Sequence, residues 1–587
     1  MKKMTSKIMA LAAAAAMAAC APSAVMAEET TEAAEADSEI LEAEDLADII
    51  PEETVTLDVF DQLANYSGEQ VGWFGQIMLD KFNVKLNIIS QPDKSVYQTR
   101  MESGDLGDLV IWGSDGDDYL DAVSQDMLYD WNEDDLLANY GPYINAHMQA
   151  ALEKNASLSE DGTVYGFGHA VASSSNDIQS FLYTWDLRFD LYEQLGCPEI
   201  SNLDDLIEVL KQMKEICPTD DNGNPTYGVS LFNDWDGNMV MFVKSTASAY
   251  YGYDEFGFGL YDPDSNTYYP CLDEDGPYLE MLKFYNKLYQ AGLVDPDSQT
   301  QGYDGMTEDY QNGTAFLNVF NFLGSALYNS ETHLAEGKAM YPVMPSEAKP
   351  IVYGQSIYGG NRIWSIGANT EYPELCMAII NWLSTPEGVM TYNYGPKDVC
   401  WYYDEDGYTH FTDIGLAAKT DITTEMPDPY TGTFDDGSFK INNETWSTDS
   451  KNPDSNGETY NYRNWASYTS EAGSEIEQEW RDWSGADSQD EYFVNLGTYT
   501  IAPGTMYSEA SHSDELQVEW DQVATCIKNG SWSAIYASTD EEYDEIVAQM
   551  ISDAKSYGYD DCIAFQEEEA VRRSECEDAA EAAAAEE

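Results

Sequence analysis

An α/β fold built in two or more lobes is what this sequence predicts, and three observations predict it. The chain of 587 residues is far longer than one hydrophobic core needs. Its hydrophobic content of 43% is that of a globular protein and excludes a largely disordered one. Segments of strand and helix periodicity alternate at the pitch of strand–helix–strand units, the pattern of a parallel sheet with helices on its faces.

The elements follow in chain order. Lys2, Lys3 and Lys7 form a basic start, and Ile8 to Ala19 is an apolar run too short to span a membrane. This reads as a signal peptide over residues 1–27. Two endings compete. Met17-Ala18-Ala19-Cys20 resembles a bacterial lipobox, which would make Cys20 a lipid anchor, whereas Val25-Met26-Ala27 before Glu28 fits an ordinary signal-peptidase site. Both imply export. Residues 28–51 are rich in Glu, Ala and Thr and read as a flexible acidic tether. Thr54 to Asp61 alternates like a strand, Trp73 to Phe82 is an amphipathic helix, and Val84 to Ile89 is a strand again. Leu109-Val110-Ile111-Trp112 reads as a buried strand run, and Leu203 to Met213 and Tyr278 to Tyr289 as helices. Asp161-Gly162, Asp406-Gly407 and Asp436-Gly437 read as hairpin corners. Further on, Ile379, Trp382 and Leu383 recur at helical spacing. Thr385-Pro386-Glu387 then supplies a cap, a Pro at the first helical position and an acid in the first turn of a second helix. The tail over residues 567–587 is acidic and Ala-rich and reads as disordered or as a loose helix.

Charge and motif content narrow the function by exclusion. Lys and Arg number 27 against 108 acidic residues, a formal charge of −81, so the chain repels nucleic acid and anionic membrane surfaces. Outside the N-terminus its only adjacent arginines, Arg572 and Arg573, sit in the acidic tail. The nine cysteines form no CxxC and read for the most part as small buried residues. There is no GxSxG elbow, no HExxH and no Walker loop. Gly166-Phe167-Gly168 and Gly257-Phe258-Gly259 lack the third glycine of a dinucleotide fingerprint, and no two of the five histidines are close. With so many acids, any chosen carboxylate pair says nothing about glycoside hydrolysis. Asp262, Asp264, Asn266 and Asp273 stand at positions 1, 3, 5 and 12 of a calcium loop, but Thr267 replaces its glycine, so a hairpin turn is expected there. No enzyme chemistry, metal or cofactor is expected.

The positive signal is aromatic. Tyr and Trp, at 42 and 14, far outnumber the 19 Phe, and both join an apolar face to a polar handle. Most are expected simply to coat the wet surface of an exported protein, but the combination suits ligands whose C–H faces stack while their hydroxyls pair with polar side chains, as in sugars.

The order of short motifs carries a resemblance. Glu102-Ser103-Gly104-Asp105-Leu106-Gly107-Asp108 before Leu109-Val110-Ile111 resembles the "SGDLPD" element of extracellular solute-binding proteins of ABC importers, with Gly107 for the usual Pro. Gly162-Thr163-Val164-Tyr165-Gly166 resembles their "GKIYGLP" hairpin, and Trp185 to Leu195 followed by Asn202-Leu203-Asp204-Asp205-Leu206 their paired helices. Leu288 to Val294 and Asn381 to Gly395 resemble two further elements in the same order. The resemblance runs from about residue 52 to 565 and is nearest the large lipoprotein-type carbohydrate-binding subgroup. That subgroup often carries a calcium-like loop; here Asp221-Asn222-Gly223-Asn224-Pro225 lacks its later acids.

The resemblance implies a periplasmic-binding-protein type II fold, two α/β lobes around a ligand cleft. Lobe one is expected at 52–168 plus 355–428 and lobe two at 175–350 plus 430–565. It implies a monomeric receptor that closes on a carbohydrate, most simply an oligosaccharide, and docks on a membrane permease pair. In open α/β sheets ligands sit at the carboxyl ends of strands. That rule selects Gln62 after the first strand and Trp112, Ser114 and Asp115 after the Leu109 run. It also selects His169 at the first crossover, Trp235 and Asp236 after Val229 to Phe232, and Phe320 and Asn321 after Ala315 to Val319. The competing readings are a peptide receptor, with Arg188 or Arg362 for the terminal carboxylate, a glycan-active hydrolase, and a glycan-binding adhesin.

Overall fold

The computed structural model describes residues 40–41, 45–175, 177–470 and 473–584. The signal segment and Cys20 lie outside them. The described strands are β1 Val55–Asp61, β2 Gly68–Glu69, β3 Val84–Ser90, β4 Leu109–Ile111, β5 Gly166–Gly168, β6 Tyr183–Arg188, β7 Asp254–Phe256 and β8 Gly259–Asp262. The chain continues with β9 Thr267–Pro270, β10 Leu317–Phe320, β11 Met340–Pro342, β12 Ile351–Tyr353, β13 Ile363–Ile366, β14 Trp401–Tyr403, β15 Thr409–Phe411 and β16 Thr500–Ala502.

The early alternation produces the expected unit. Leu57 and Val59 of β1 are wholly buried, the Gly72–Phe82 helix follows, and β3 returns parallel to β1. With β4 also parallel to β1, this forms the centre of a six-stranded sheet ordered β2-β3-β1-β4-β13-β5. β13, from a second pass of the chain, runs antiparallel to β4 and β5. A second sheet is antiparallel, ordered β10-β6-β11, and single parallel bridges, Tyr227 to Ala315 and Val229 to Val294, widen it.

Two cores organise these sheets. One gathers Leu46 to Val171 and then Trp364 to Trp465, with Phe60, Val110, Trp112, Tyr119 and Ile363 packed on the opposite sheet face. The other gathers Phe181 to Val352 and then Ile476 to Cys562. The chain therefore crosses between cores after Val171, after Val352 and after Trp465. The expected start of lobe two at 430 is corrected by this packing. Ile441, Trp446, Tyr460 and Trp465 are buried with Trp382, Tyr392 and Tyr394 in the first core. Four large side chains hold that segment, and local pattern could not say which lobe they would cover.

Both ends are packed against the body of the protein; the tail takes the helical form of the two expected for it. In the segment expected as a flexible tether, Leu46 is buried and Ile49 and Ile50 pack on the first core. In the tail, Tyr559–Ala584 is one helix, and it is docked. Arg573 is buried between Asp254 at 2.8 Å and Glu577 at 2.9 Å, and Glu577 accepts from Tyr261 Oη at 3.0 Å. An acidic composition suggests repulsion; two adjacent arginines offset it where the helix docks, Arg572 on Glu569 and Arg573 on Asp254 and Glu577.

The helical corner forms as its signals require. Pro373–Ser384 is followed by Pro386–Tyr394, and Thr385 Oγ1 accepts the Gly388 N–H at 3.2 Å. Asn381 Oδ1 caps the neighbouring helix through Tyr143 N at 2.9 Å, so the corner makes the first lobe rigid. Of the three expected hairpin corners, only Asp406-Gly407 lies in a hairpin, between β14 and β15. Asp161-Gly162 turns the chain between a helix and β5, and Asp436-Gly437 closes the short Phe434–Gly437 helix. The Asp262 loop is the hairpin turn between β8 and β9. Among the described residues no helix is long and apolar enough to cross a membrane.

Candidate functional site

The crossings form a narrow join. Gln179 N donates to Tyr353 O at 2.8 Å, Gln355 N to Asp177 O at 2.8 Å and Ala172 N to Ser356 O at 2.9 Å, so the first two run side by side. Asp449 fastens them. Its carboxylate accepts Ser180 N at 2.7 Å, Ser180 Oγ at 2.9 Å and Asn461 Nδ2 at 2.9 Å, while Gln355 Nε2 donates to its carbonyl at 2.9 Å. A join made of a few hydrogen bonds between two packed bodies is the architecture of a hinge.

Several polar groups gather on the first-lobe side of this join. His169 N donates to Arg362 O at 2.8 Å, and its Nδ1 accepts Arg362 N at 3.2 Å. Burial, then Arg362 and Lys154, bring the imidazole down to about 3, so it is neutral, as an acceptor must be. A Cβ on Gly360 would run into the ring, which explains a glycine beside it. The Arg362 guanidinium makes no ion pair among the described residues, and its charge acts on Asp61, His169 and Glu444 alike. Glu444 lies close by, its carbonyl bonded to Trp364 Nε1 at 2.9 Å. Burial, then repulsion from Asp449, push its carboxyl up to about 7 against the pull of Arg362. Asn443 is buried, and neither its amide oxygen nor its nitrogen has a partner among the described residues. Asp61, at the end of β1, accepts Leu63 N at 2.9 Å and Asn442 N at 2.8 Å, and burial raises its carboxyl.

On the second lobe, the strand ends nearest the crossings carry aromatics. β10 ends at Phe320, opposite Tyr183 at the start of β6. Beyond Phe320 stands Phe322, 38% exposed, and near it Trp235, 46% exposed. Trp235 stacks on Tyr303 at 4.8 Å and 24°, meets Phe232 edge-on at 4.9 Å and reaches Phe322 at 6.4 Å. The arrangement is fixed from below: Asp234 accepts the Tyr303 N–H at 2.8 Å and so positions the stacking ring. The result is an open aromatic ledge.

The residues selected from sequence divide accordingly. Trp235 is an exposed ledge residue. Phe320 is buried beneath it, packed on Tyr183 at 5.4 Å and Phe322 at 5.0 Å. Asn321 Nδ2 donates to Phe181 O at 2.9 Å. Asp236 caps a helix through Met241 N at 2.8 Å and accepts Trp532 Nε1 at 2.7 Å, a structural role. On the first lobe, Gln62 ties three loops together. Its Oε1 accepts Gly113 N at 2.8 Å, and its Nε2 donates to Asp118 Oδ2 at 3.2 Å and Gln91 Oε1 at 3.3 Å. Ser114 is exposed and accepts Gly116 N at 3.3 Å. Trp112 is wholly buried between Tyr97 at 6.1 Å and Tyr119 at 5.7 Å and offers no open face. It continues the alternation of Phe60 and Val110 onto a covered sheet face. Asp115 is buried against Lys154 at 4.0 Å. Sequence reasoning passed over Tyr303, Phe322, Glu444 and Asn443. A second aromatic two positions beyond Phe320 was the one available signal; the others come together only through long-range packing.

Among the described residues no three His, Cys, Asp or Glu converge as metal ligands. In the loop at Asp221, Lys338 Nζ at 2.7 Å and His333 Nε2 at 2.9 Å face the Asp221 carboxylate. Asp220 is filled by Asn222 N, Asn224 N and Thr314 Oγ1.

Comparison with known proteins agrees with this architecture. The alginate-binding protein AlgQ2, solved without calcium ion, superposes with a TM-score of 0.56 at 16% identity, covering 90% of this chain and 99% of its own. The N-glycan transport solute binding protein NgtS of Streptococcus pneumoniae gives 0.52 at 16%, with 89% and 99% covered. The S. pneumoniae ABC-transporter substrate binding protein FusA, in complex with kestose, gives 0.54 at 14%, with the same coverage. At these identities the likeness is one of fold, the two-lobe solute-binding fold. No curated protein matches the chain. The sequence model for the bacterial extracellular solute-binding proteins matches residues 67–390, more than half of the chain, and the protein belongs to that family.

Proposed function

We propose that this protein is an exported receptor that captures a carbohydrate, most simply an oligosaccharide, and presents it to an ABC permease pair. The observation that carries the sugar reading is the open ledge of Trp235, Tyr303 and Phe322 beyond the carboxyl end of β10. Stacked rings left in water are costly to hydrate, and a sugar C–H face covers them while its hydroxyls reach outward. Across the join stand groups suited to hydroxyls and unpaired among the described residues: the Arg362 guanidinium, the Glu444 carboxyl and the Asn443 amide. Structures of this fold named for alginate binding and N-glycan transport, and one solved in complex with kestose, support the same class.

The mechanism is reversible binding with lobe closure about the Asp449 join, and no bond is made or broken. The protein acts as a monomer at the cell surface, held there by Cys20 or released after Ala27. Ligand capture needs no metal, since Lys338 already answers the Asp221 carboxylate.

Arg362 favours one second reading. A guanidinium without an ion pair, in a chain so rich in acids, fits a ligand carboxylate such as a peptide terminus. Arg188, the other candidate, is consumed by Asp190 at 2.8 Å. A thermal-shift screen against neutral sugars, acidic sugars and peptides decides. Stabilisation by a sugar is expected; stabilisation by peptides alone would sink the carbohydrate reading.

A further inference from the structure

We propose that the segment between β16 and the Asp514–Ile535 helix is a latch that fastens the second lobe to the first, with Ser508 as its catch and Asp115 as its keeper. Ser508 Oγ donates to Asp115 Oδ2 at 2.5 Å, joining residues 393 positions apart. Asp115 belongs to the first lobe, in the turn between β4 and the Asp117–Ser124 helix. Ser508 belongs to the second, since β16 pairs with β12 and the helix after it is buried in the second core. The contact therefore lies outside the three chain crossings.

Each half is built to hold its place. On the second lobe, buried Glu569 of the C-terminal helix accepts Tyr507 Oη at 2.9 Å and Ala510 N at 3.0 Å. Arg572, bonded to Glu569 at 2.6 Å, donates to Ser508 O at 3.2 Å. The serine is thus presented on a loop clamped at both sides. On the first lobe, Lys154 of the Gln149–Ser157 helix stands 4.0 Å from Asp115, and both side chains are more than nine-tenths buried. The next residue, Asn155, donates to Tyr119 Oη at 2.7 Å and fixes that helix.

The energetics favour a switch over a permanent strut. A buried carboxylate is tolerable only while it is paired and hydrogen-bonded. With the lobes together, Asp115 has Lys154 and the Ser508 hydroxyl; with the segment withdrawn, water replaces the hydroxyl. The bond is strong enough to bias the lobes and small enough to break within a transport cycle. Asp115, selected from sequence as a ligand contact, becomes a positioning residue that acts through Ser508. The proposal rests on the closure motion of the receptor role.

The test uses ligand-free, full-length protein. Threonine and valine are nearly isosteric and differ in the hydroxyl, so Ser508→Thr and Ser508→Val are compared with the parent by hydrogen exchange at residues 113–118 and 505–512. With Ser508→Val the amides of both segments should exchange about tenfold faster or more, with a larger radius of gyration in small-angle scattering. Ser508→Thr should stay near the parent. Equal exchange and radius for the two variants would overturn the latch. Faster exchange of residues 505–512 alone would also overturn it, since a lobe contact must free both partners. Neither result depends on which ligand is bound, so failure of the sugar screen leaves this test standing.

Discussion

Trp112 and Trp235 invite direct comparison. Each follows an apolar run that reads as a strand from the sequence, and each is expected there to face the cleft from its own lobe; the run before Trp235 forms only a single bridge, at Val229. Trp112 is 0% exposed and Trp235 46%. The difference lies in what separates the ring from its strand. Trp112 follows Ile111 without a break, so pleat alternation places it with Phe60 and Val110 under a covering helix. Before Trp235 the chain turns through Asn233 and Asp234, and Asp234 is held by Tyr303. The turn ends the alternation and frees the ring to lie outside the core.

The comparison breaks most visibly on stability. Trp112→Ala should destabilise the protein by about 3–5 kcal/mol, because a large buried ring leaves a cavity. Denaturant unfolding measures this, and a melt unchanged from the parent would show that Trp112 is not core. Trp235→Ala should leave the melt nearly unmoved and weaken sugar binding about tenfold, roughly 1.4 kcal/mol. Calorimetry with the ligand found in the screen checks it. Normal binding would remove the ledge from the site.

The first-lobe groups sharpen the picture through pH. Glu444 has a folded pKa of about 7, above its unfolded value. Its contribution to stability is therefore fully present below the unfolded pKa and is lost as pH rises through about 7. Glu444→Gln should abolish that loss. The variant should gain about 1 kcal/mol on the parent between pH 5 and pH 8, a figure discounted for partial solvent screening. Parallel unfolding curves at the two pH values would mean that Glu444 is solvated and not part of a desolvated floor. The smallest effect belongs to the rim of the ledge. Phe322→Ala should cost about threefold in affinity, since its ring meets Trp235 at 6.4 Å and tilted rather than stacked. A loss larger than that of Trp235→Ala would make Phe322 the main platform.

By itself the sequence determined the local elements and their order. Alternation from Thr54 to Asp61, the helix after it and the return at Val84 specify a parallel unit, because each signal is spent within a few residues. Thr385 and Pro386 set a helix start for the same reason. Tertiary structure alone decided what covers each apolar face. The segment from Ile441 to Trp465 joins the first core, the acidic C-terminal helix docks through Arg573, and Asp115 meets Ser508 across most of the chain. Periodicity shows that a face is apolar or that a carboxylate exists; which surface closes over it depends on contacts between residues hundreds of positions apart, and those form only when both lobes have packed.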